Sequence, residues 1–208
     1  MTDSRHPPIS LRKKPKQARS EASISIILQA ATQVLAKEGA SRFTTARVAE
    51  KAGVSIGSLY QYFPNKAAIL FRLQSDEWHQ TTDLLSRILD DTSVAPFERL
   101  RDLVHAFLRS ECDEADLRVA LDDTAPLYRH APEARETREK GERAIVRFME
   151  EVLPQADEAS RKRVGELITT TMSKVGKAFS QTPRTDAEIE DYAAAMSDMF
   201  CAYIERSA

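Results

Sequence analysis

The chain has 208 residues, 42% of them hydrophobic and 30% charged, and a formal net charge of −2. That length suits one large domain or two small ones sharing a core, and no run approaches the roughly 18 apolar residues a membrane span requires. With only 6 glycines, abundant Ala, Leu, Glu and Arg, and little alternation of Val and Ile with polar residues, the composition predicts an all-α protein.

The segment from Met1 to about residue 18 is basic and proline-rich (Arg12, Lys13, Lys14, Pro15, Lys16) and has no periodicity. It reads as a flexible basic arm. No apolar core of a signal peptide follows it, which predicts a cytoplasmic protein. Cys112 and Cys201 lie far apart without metal-ligand spacing, so two free thiols are expected.

The first helix is expected over Ser20–Glu38, where Ile24, Ile27, Leu28, Ala31, Val34 and Leu35 recur at helical spacing and Gly39 stops the run. Thr44 is positioned to cap a short helix that ends at Gly53, and Ser55 to cap a second, Ile56–Tyr62. Pro64 and Asn65 precede a longer helix from Lys66 to Asp90. Further helices are expected near Pro96–Glu111, Glu114–Tyr128, Pro132–Val152, Glu158–Ser180 and Asp186–Arg206, punctuated by Pro96, Pro126, Pro132, Pro154 and Pro183. This gives about nine helices in an arm (1–18), an N-terminal three-helix domain (19–66) and a C-terminal helical domain (67–208).

Charge divides the chain. Residues 1–66 carry eleven Lys and Arg against four Asp and Glu, a net +7; the remainder carries nineteen against twenty-eight, a net −9. A basic head on an acidic body implies a polyanion partner at one end.

Two short helices joined by a glycine-containing turn make a helix-turn-helix. Val48, Ala49, Val54 and Leu59 are the apolar residues that hold the pair. Ser55, Ile56, Gly57, Ser58, Tyr60, Gln61 and Tyr62 remain as an outward face. Small residues at a helix start let backbone N–H groups reach a phosphate, the tyrosines donate to phosphate oxygens, Gln61 suits adenine and Ile56 a thymine methyl group. The run from Thr44 to Lys66, TTARVAEKAGVSIGSLYQYFPNK, closely resembles the signature of TetR-family transcriptional regulators. The resemblance covers about Ser20 to Asp76. It implies a homodimer that binds double-stranded, palindromic operator DNA, a repressor released by a small-molecule effector. By position, Thr45, Tyr60, Tyr62 and Lys66 match family positions that touch phosphates, and Ser55, Ile56, Gly57 and Gln61 match positions that approach bases. Arg47 is a further candidate for a phosphate or base edge. Two residues depart from the pattern. Ile56 stands where many members have a polar or basic residue, and Gln61 where an aromatic is frequent. Both bear on the operator sequence rather than the mode of binding.

On the helix near Glu158–Ser180, Val164, Leu167, Ile168, Thr171, Val175 and Phe179 form one arc. Gly165, Thr169, Ser173, Gly176 and Ser180 form a second, displaced by about 125°. Two mid-helix glycines cost roughly 1 kcal/mol each relative to alanine, and close approach of another helix would offset that. A four-helix dimer interface is therefore expected from the last two helices of each subunit, through Gly165, Thr169, Ser173, Gly176, Met196, Phe200 and Tyr203. Candidate effector-binding residues are Trp78, His105, Phe107, Tyr128, Phe148, Met149 and Met172, aromatic walls with a few polar tips. Asp122 and Asp123 either pair with a cationic ligand or face water, and Arg129 and His130 follow an expected helix end.

No glycine-rich phosphate loop, paired metal-ligand motif or Ser-His-Asp spacing is present, so neither catalysis, a cofactor nor a metal is expected. The alternative function is a DNA-bound architectural or checkpoint protein whose C-terminal domain binds a protein partner.

Overall fold

The computed structural model describes residues 18–124 and 132–207. The N-terminal arm, together with Tyr128, Arg129 and His130, lies outside the described residues, as do the side chains of Asp122 and Asp123. Among the described residues there are nine helices and no strand: α1 (Ala18–Arg42), α2 (Thr45–Ala52), α3 (Ile56–Tyr62), α4 (Lys66–Asp90), α5 (Pro96–Asp113), α6 (Ala115–Thr124), α7 (Pro132–Val152), α8 (Glu158–Phe179) and α9 (Asp186–Ser207). No helix among them is long and apolar enough to cross a membrane. The all-α expectation and the helix starts at Ile56, Lys66, Pro96, Pro132, Glu158 and Asp186 agree with these elements. Helix α1 runs past its expected end, but the stop signal acts where expected. Gly39 sits inside it at φ 74°, ψ 172°, a break that only a residue without a Cβ adopts cheaply.

The chain forms two compact units. One comprises Met1–Glu77 and Asp116–Ala134, the other Trp78–Ala115 and Arg135–Ala208. In the first, the helical-period residues Ile24, Ile27, Ala31, Val34 and Leu35 of α1 are buried with Val48, Ala49, Leu59, Phe63 and the start of α4 from Ala67 to Phe71. A charged group is also taken inside. The Glu77 carboxylate accepts from Gln74 Nε2 at 3.0 Å and pairs with Arg118 of α6 at 2.8 Å.

In the second unit α5 and α9 supply much of the core, with Leu100, Leu103, Val104, Phe107 and Leu108 packed with Ile189, Ala193, Met196, Phe200 and Ile204. Pro96 at the first turn of α5 gives up an N–H that has no intrahelical partner anyway. Arg99 is 2% exposed. It donates to the Leu89 carbonyl at the end of α4 and to Glu151 of α7, and its guanidinium lies over the Phe148 ring, 5.6 Å from the centroid. One cation thus holds three helix ends together, satisfying a terminal carbonyl that α4 cannot pair by itself. Asp157 caps α8, its carboxyl held below the usual carboxylate range by the Ser160 backbone N–H at 2.6 Å. Both cysteines are free, and burial pushes their thiols up, which disfavours the reactive thiolate.

The two helix-interior glycines of α8 do answer to close helix approaches, but within the subunit. A Cβ on Gly165 would meet Ile145 Cγ2 of α7 at 3.0 Å. One on Gly176 would meet Phe107 Cε1 of α5 at 2.6 Å and Glu111 Cγ at 3.4 Å. The expected assignment of Gly165 and Gly176 to a dimer interface is therefore corrected. Spacing alone shows that a helix comes close, not which chain it belongs to. Met196 and Phe200 are likewise 5% and 3% exposed within the subunit's own core, so they have little surface left to give a partner.

Gly176→Ala should lower stability by about 1–3 kcal/mol through overpacking against Phe107. Gly141→Ala, whose Cβ meets only Thr82 Cγ2 at 3.6 Å, should raise it by about 0.5–1 kcal/mol through reduced unfolded-state entropy. Urea denaturation midpoints decide between this order and its reverse.

Candidate functional site

Helix α2 starts where the Thr44 side chain accepts the Arg47 backbone N–H at 3.3 Å, and α3 where Ser55 Oγ accepts the Ser58 N–H at 3.0 Å. Between them Gly53 adopts the left-handed conformation at φ 66°, ψ 28°. Its N–H reaches the Glu50 carbonyl at 3.1 Å, and the Val54 N–H reaches that of Ala49 at 3.0 Å, which is the paired bonding of a Schellman turn. The turn aims α3 so that Leu59, followed by Phe63, enters the core at 0% exposure while Ile56 and Tyr60 stay 43% and 39% exposed. Ser55, Gly57 and Gln61 are exposed as well, and Ser58 and Tyr62 are half-buried. A seven-residue helix thus offers one face to the core and the opposite face, rich in hydroxyl, amide and small side chains, to solvent.

Thr45 Oγ1 and the Tyr60 hydroxyl stand 3.1 Å apart, so the start of α2 and the middle of α3 place two hydroxyls where both can donate to one phosphate. Asn65 Oδ1 accepts the Ala68 N–H at 2.9 Å and caps α4. The exposed Lys66 then sits at the helix's positive end. Arg47 is placed differently. Its guanidinium pairs with Glu38 of α1 and is half-buried, so it ties α2 to α1 where an open phosphate-binding cation was expected. The sequence signal for that pair is faint, because the partners lie nine positions apart across the Gly39 break.

The second unit holds a cavity of about 920 Å³. Its walls come from Thr82, Leu85, Ser86 and Leu89 of α4, Leu103 of α5, Gly141–Glu142, Ala144–Val146 and Met149–Glu150 of α7, and a strip of α8. Of the candidate effector-binding residues, Met149 and Met172 line it. Trp78, His105, Phe107 and Phe148 do not. Phe107 packs onto Gly176, Phe148 lies beneath Arg99, and His105 Nε2 sits 2.8 Å from Glu190 Oε2 on the α5–α9 seam, beside the Arg101–Asp198 and Arg109–Asp186 pairs. Gly165, Thr169 and Ser173, expected at a subunit interface, line the cavity. Thr169 Oγ1 also donates to the Gly165 carbonyl at 2.9 Å. Apolar and small residues at helical spacing are shared by cores, cavities and interfaces, so spacing alone could not separate these roles.

A helix-turn-helix with an open polar face, on the same chain as an all-helical unit that holds a cavity, is the build of a DNA-binding regulator. Family models fix which kind. The model for a tetracyclin repressor-like C-terminal domain matches residues 95–206, more than half of the chain, and that for bacterial regulatory proteins of the tetR family matches residues 27–73. The chain belongs to the TetR family of DNA-binding regulators. Nucleoid occlusion factor SlmA of Vibrio campbellii is 42% identical over 83 residues, which cover 39% of this chain and 42% of that protein. The HTH-type transcriptional regulator TtgR of Pseudomonas putida is 36% identical over 93 residues, 44% of this chain and 43% of that one. The chain thus matches less than half the length of these curated relatives. A solved structure assigned to the TetR family, from Mesorhizobium loti, superposes with a TM-score of 0.68 at 20% identity over 90% of this chain and 98% of that one, which shows a common fold.

Proposed function

We propose that the protein is a homodimeric transcriptional repressor that binds palindromic operator DNA through α2 and α3 and releases it when a small molecule fills the cavity of the second unit. The observation that carries the DNA-binding half is the exposed face of α3. Ile56 and Gln61 are positioned to read base edges, and Thr45, Tyr60, Tyr62 and Lys66 to hold phosphates. The basic balance of residues 1–66 supplies long-range attraction. Two such heads spaced about 34–36 Å apart would engage successive major grooves.

Effector release follows from differential binding. Helix α4 runs unbroken from Lys66 to the cavity-lining residues Thr82, Leu85, Ser86 and Leu89. A ligand that binds the cavity better in one setting of α4 than in another shifts the population of DNA-competent protein by that difference.

The interface is reassigned to what α8 and α9 leave uncovered. Leu167 is 50% exposed and Met199 52%. On α9, Tyr192, Ala195, Met199 and Ala202 recur at three- and four-residue spacing, and all four are exposed. Two such faces meeting about a two-fold axis form a four-helix contact. Tyr203, half-buried, flanks it. Leu167→Glu combined with Met199→Glu should yield a folded monomer by size-exclusion chromatography with light scattering. A persistent dimer would place the interface elsewhere.

Relatives named as nucleoid occlusion factors favour a second reading, in which the second unit binds a protein partner on DNA. Thermal melting separates the two, since a small effector raises the midpoint by mass action.

For the DNA face, Tyr62→Ala and Lys66→Ala should each weaken binding to all sequences, and Lys66→Ala should reduce the salt slope by about 1. Gln61→Ala should instead change sequence preference at a cost of about 1–3 kcal/mol on the cognate site. Mobility-shift titrations over a salt series measure both. A Tyr62→Ala protein that binds a mapped operator like wild type would overturn this docking.

A further inference from the structure

Taking the cavity of the second unit as the effector site proposed above, we infer that its effector is an amphipathic organic cation: an apolar, aromatic-sized body carrying a permanent or protonated positive charge. The floor and the mouth of the cavity are chemically different. The floor is made by Leu89, Leu103, Ala144, Met149 and Met172, each less than 9% exposed and each apolar. It offers no buried polar group for an anion or a sugar to pair with, and it rewards a ligand by area removed from water.

The mouth carries four carboxylates, Glu142 and Glu150 on α7 and Glu158 and Glu166 on α8. Eight residues separate the members of each pair, about 12 Å along a helix. Two cations share the rim, and both have other commitments. Arg161 donates from Nε to the Leu153 carbonyl at 2.9 Å and from Nη2 to the Pro154 carbonyl at 2.8 Å, which fastens the α7–α8 turn. Lys162 Nζ lies 3.8 Å from Glu166. Glu142, Glu150 and Glu158 have no ion-pair partner among the described residues. A negative rim around a low-dielectric floor focuses potential into the opening and concentrates cations there. An anionic amphiphile of the same shape would bring its charge against a rim whose four carboxylates outnumber its two cations. Charge complementarity, rather than shape, therefore selects the occupant.

The test compares three probes of similar size that differ in charge: tetraphenylphosphonium, tetraphenylborate and triphenylphosphine oxide. Each is titrated by calorimetry into the full-length protein, with thermal melting in parallel. Tetraphenylphosphonium should bind most tightly, raise the melting midpoint and lose affinity as salt is added. Triphenylphosphine oxide should bind more weakly and without salt dependence, and tetraphenylborate should bind weakest. Glu142→Gln with Glu158→Gln should weaken tetraphenylphosphonium about tenfold and leave the neutral probe unchanged. Both side chains are exposed, so the fold survives the change, and the neutral probe confirms it. If the neutral or anionic probe binds as well as the cation, or the double variant keeps wild-type affinity for it, the charge assignment is overturned while the effector cavity stands. If none of the three binds, the cation assignment is overturned, and a midpoint that also stays fixed against a wider metabolite panel overturns the effector cavity itself.

Discussion

The turn between α2 and α3 hangs on Gly53. Its left-handed backbone lets the Gly53 and Val54 N–H groups close onto the Glu50 and Ala49 carbonyls, and α3 begins three residues later with its direction already set. A side chain at that φ costs roughly 1–2 kcal/mol and loosens the turn that aims every outward residue. Once the turn is fixed, the burial of Leu59 and Phe63 decides the rotation of α3 about its own axis, because fully burying each is worth about 1.5–3 kcal/mol. Rotation away from this setting would expose them. The outward placement of Ile56, Tyr60 and Gln61 is therefore a consequence of what the other side of the helix must hide.

The second unit is organised by close helix approach and by charge at its seams. Gly165 and Gly176 let α8 lie against α7 and α5, and the entropy they cost the helix is offset by those contacts. Arg99, buried and bonded to Leu89 and Glu151, fixes where α4 ends relative to α5 and α7. Removing it would leave the Leu89 carbonyl without its partner and empty a buried site, whereas the exposed Glu151 carboxylate would turn to water. The exposed α5–α9 pairs, by contrast, sit in water and contribute little each.

The helical signals in the sequence were strong because they are local. Caps at Thr44 and Ser55, prolines at Pro96 and Pro132, and the glycine at Gly53 each act within a few residues of themselves, and the elements follow them closely. The outward face of α3 was legible for the same reason, since a helix of seven residues with one buried leucine leaves few choices for its other side. The cavity was not legible. Met149 and Met172 lie on it, whereas Phe107, Phe148 and His105 share their apolar or amphipathic character and are packed or paired elsewhere. That difference arises from contacts across dozens of positions, such as Phe107 on Gly176 and His105 near Glu190. The small-residue strip of α8 carried a true message, close approach, with no indication of the partner. Arg47 shows the same limit on α2, where a cation at an outward position is taken by Glu38.

The central claim, sequence reading by the exposed face of α3, is tested most directly by sequencing the genomic fragments that the purified protein retains, alongside those retained by an Ile56→Ala, Gln61→Ala double variant. The account predicts that wild type recovers a shared two-fold-symmetric motif with half-sites about one helical turn apart, and that the double variant loses preference at one or two positions in each half-site. Recovery of the same motif by both proteins, or of fragments with no shared motif by wild type, would contradict it.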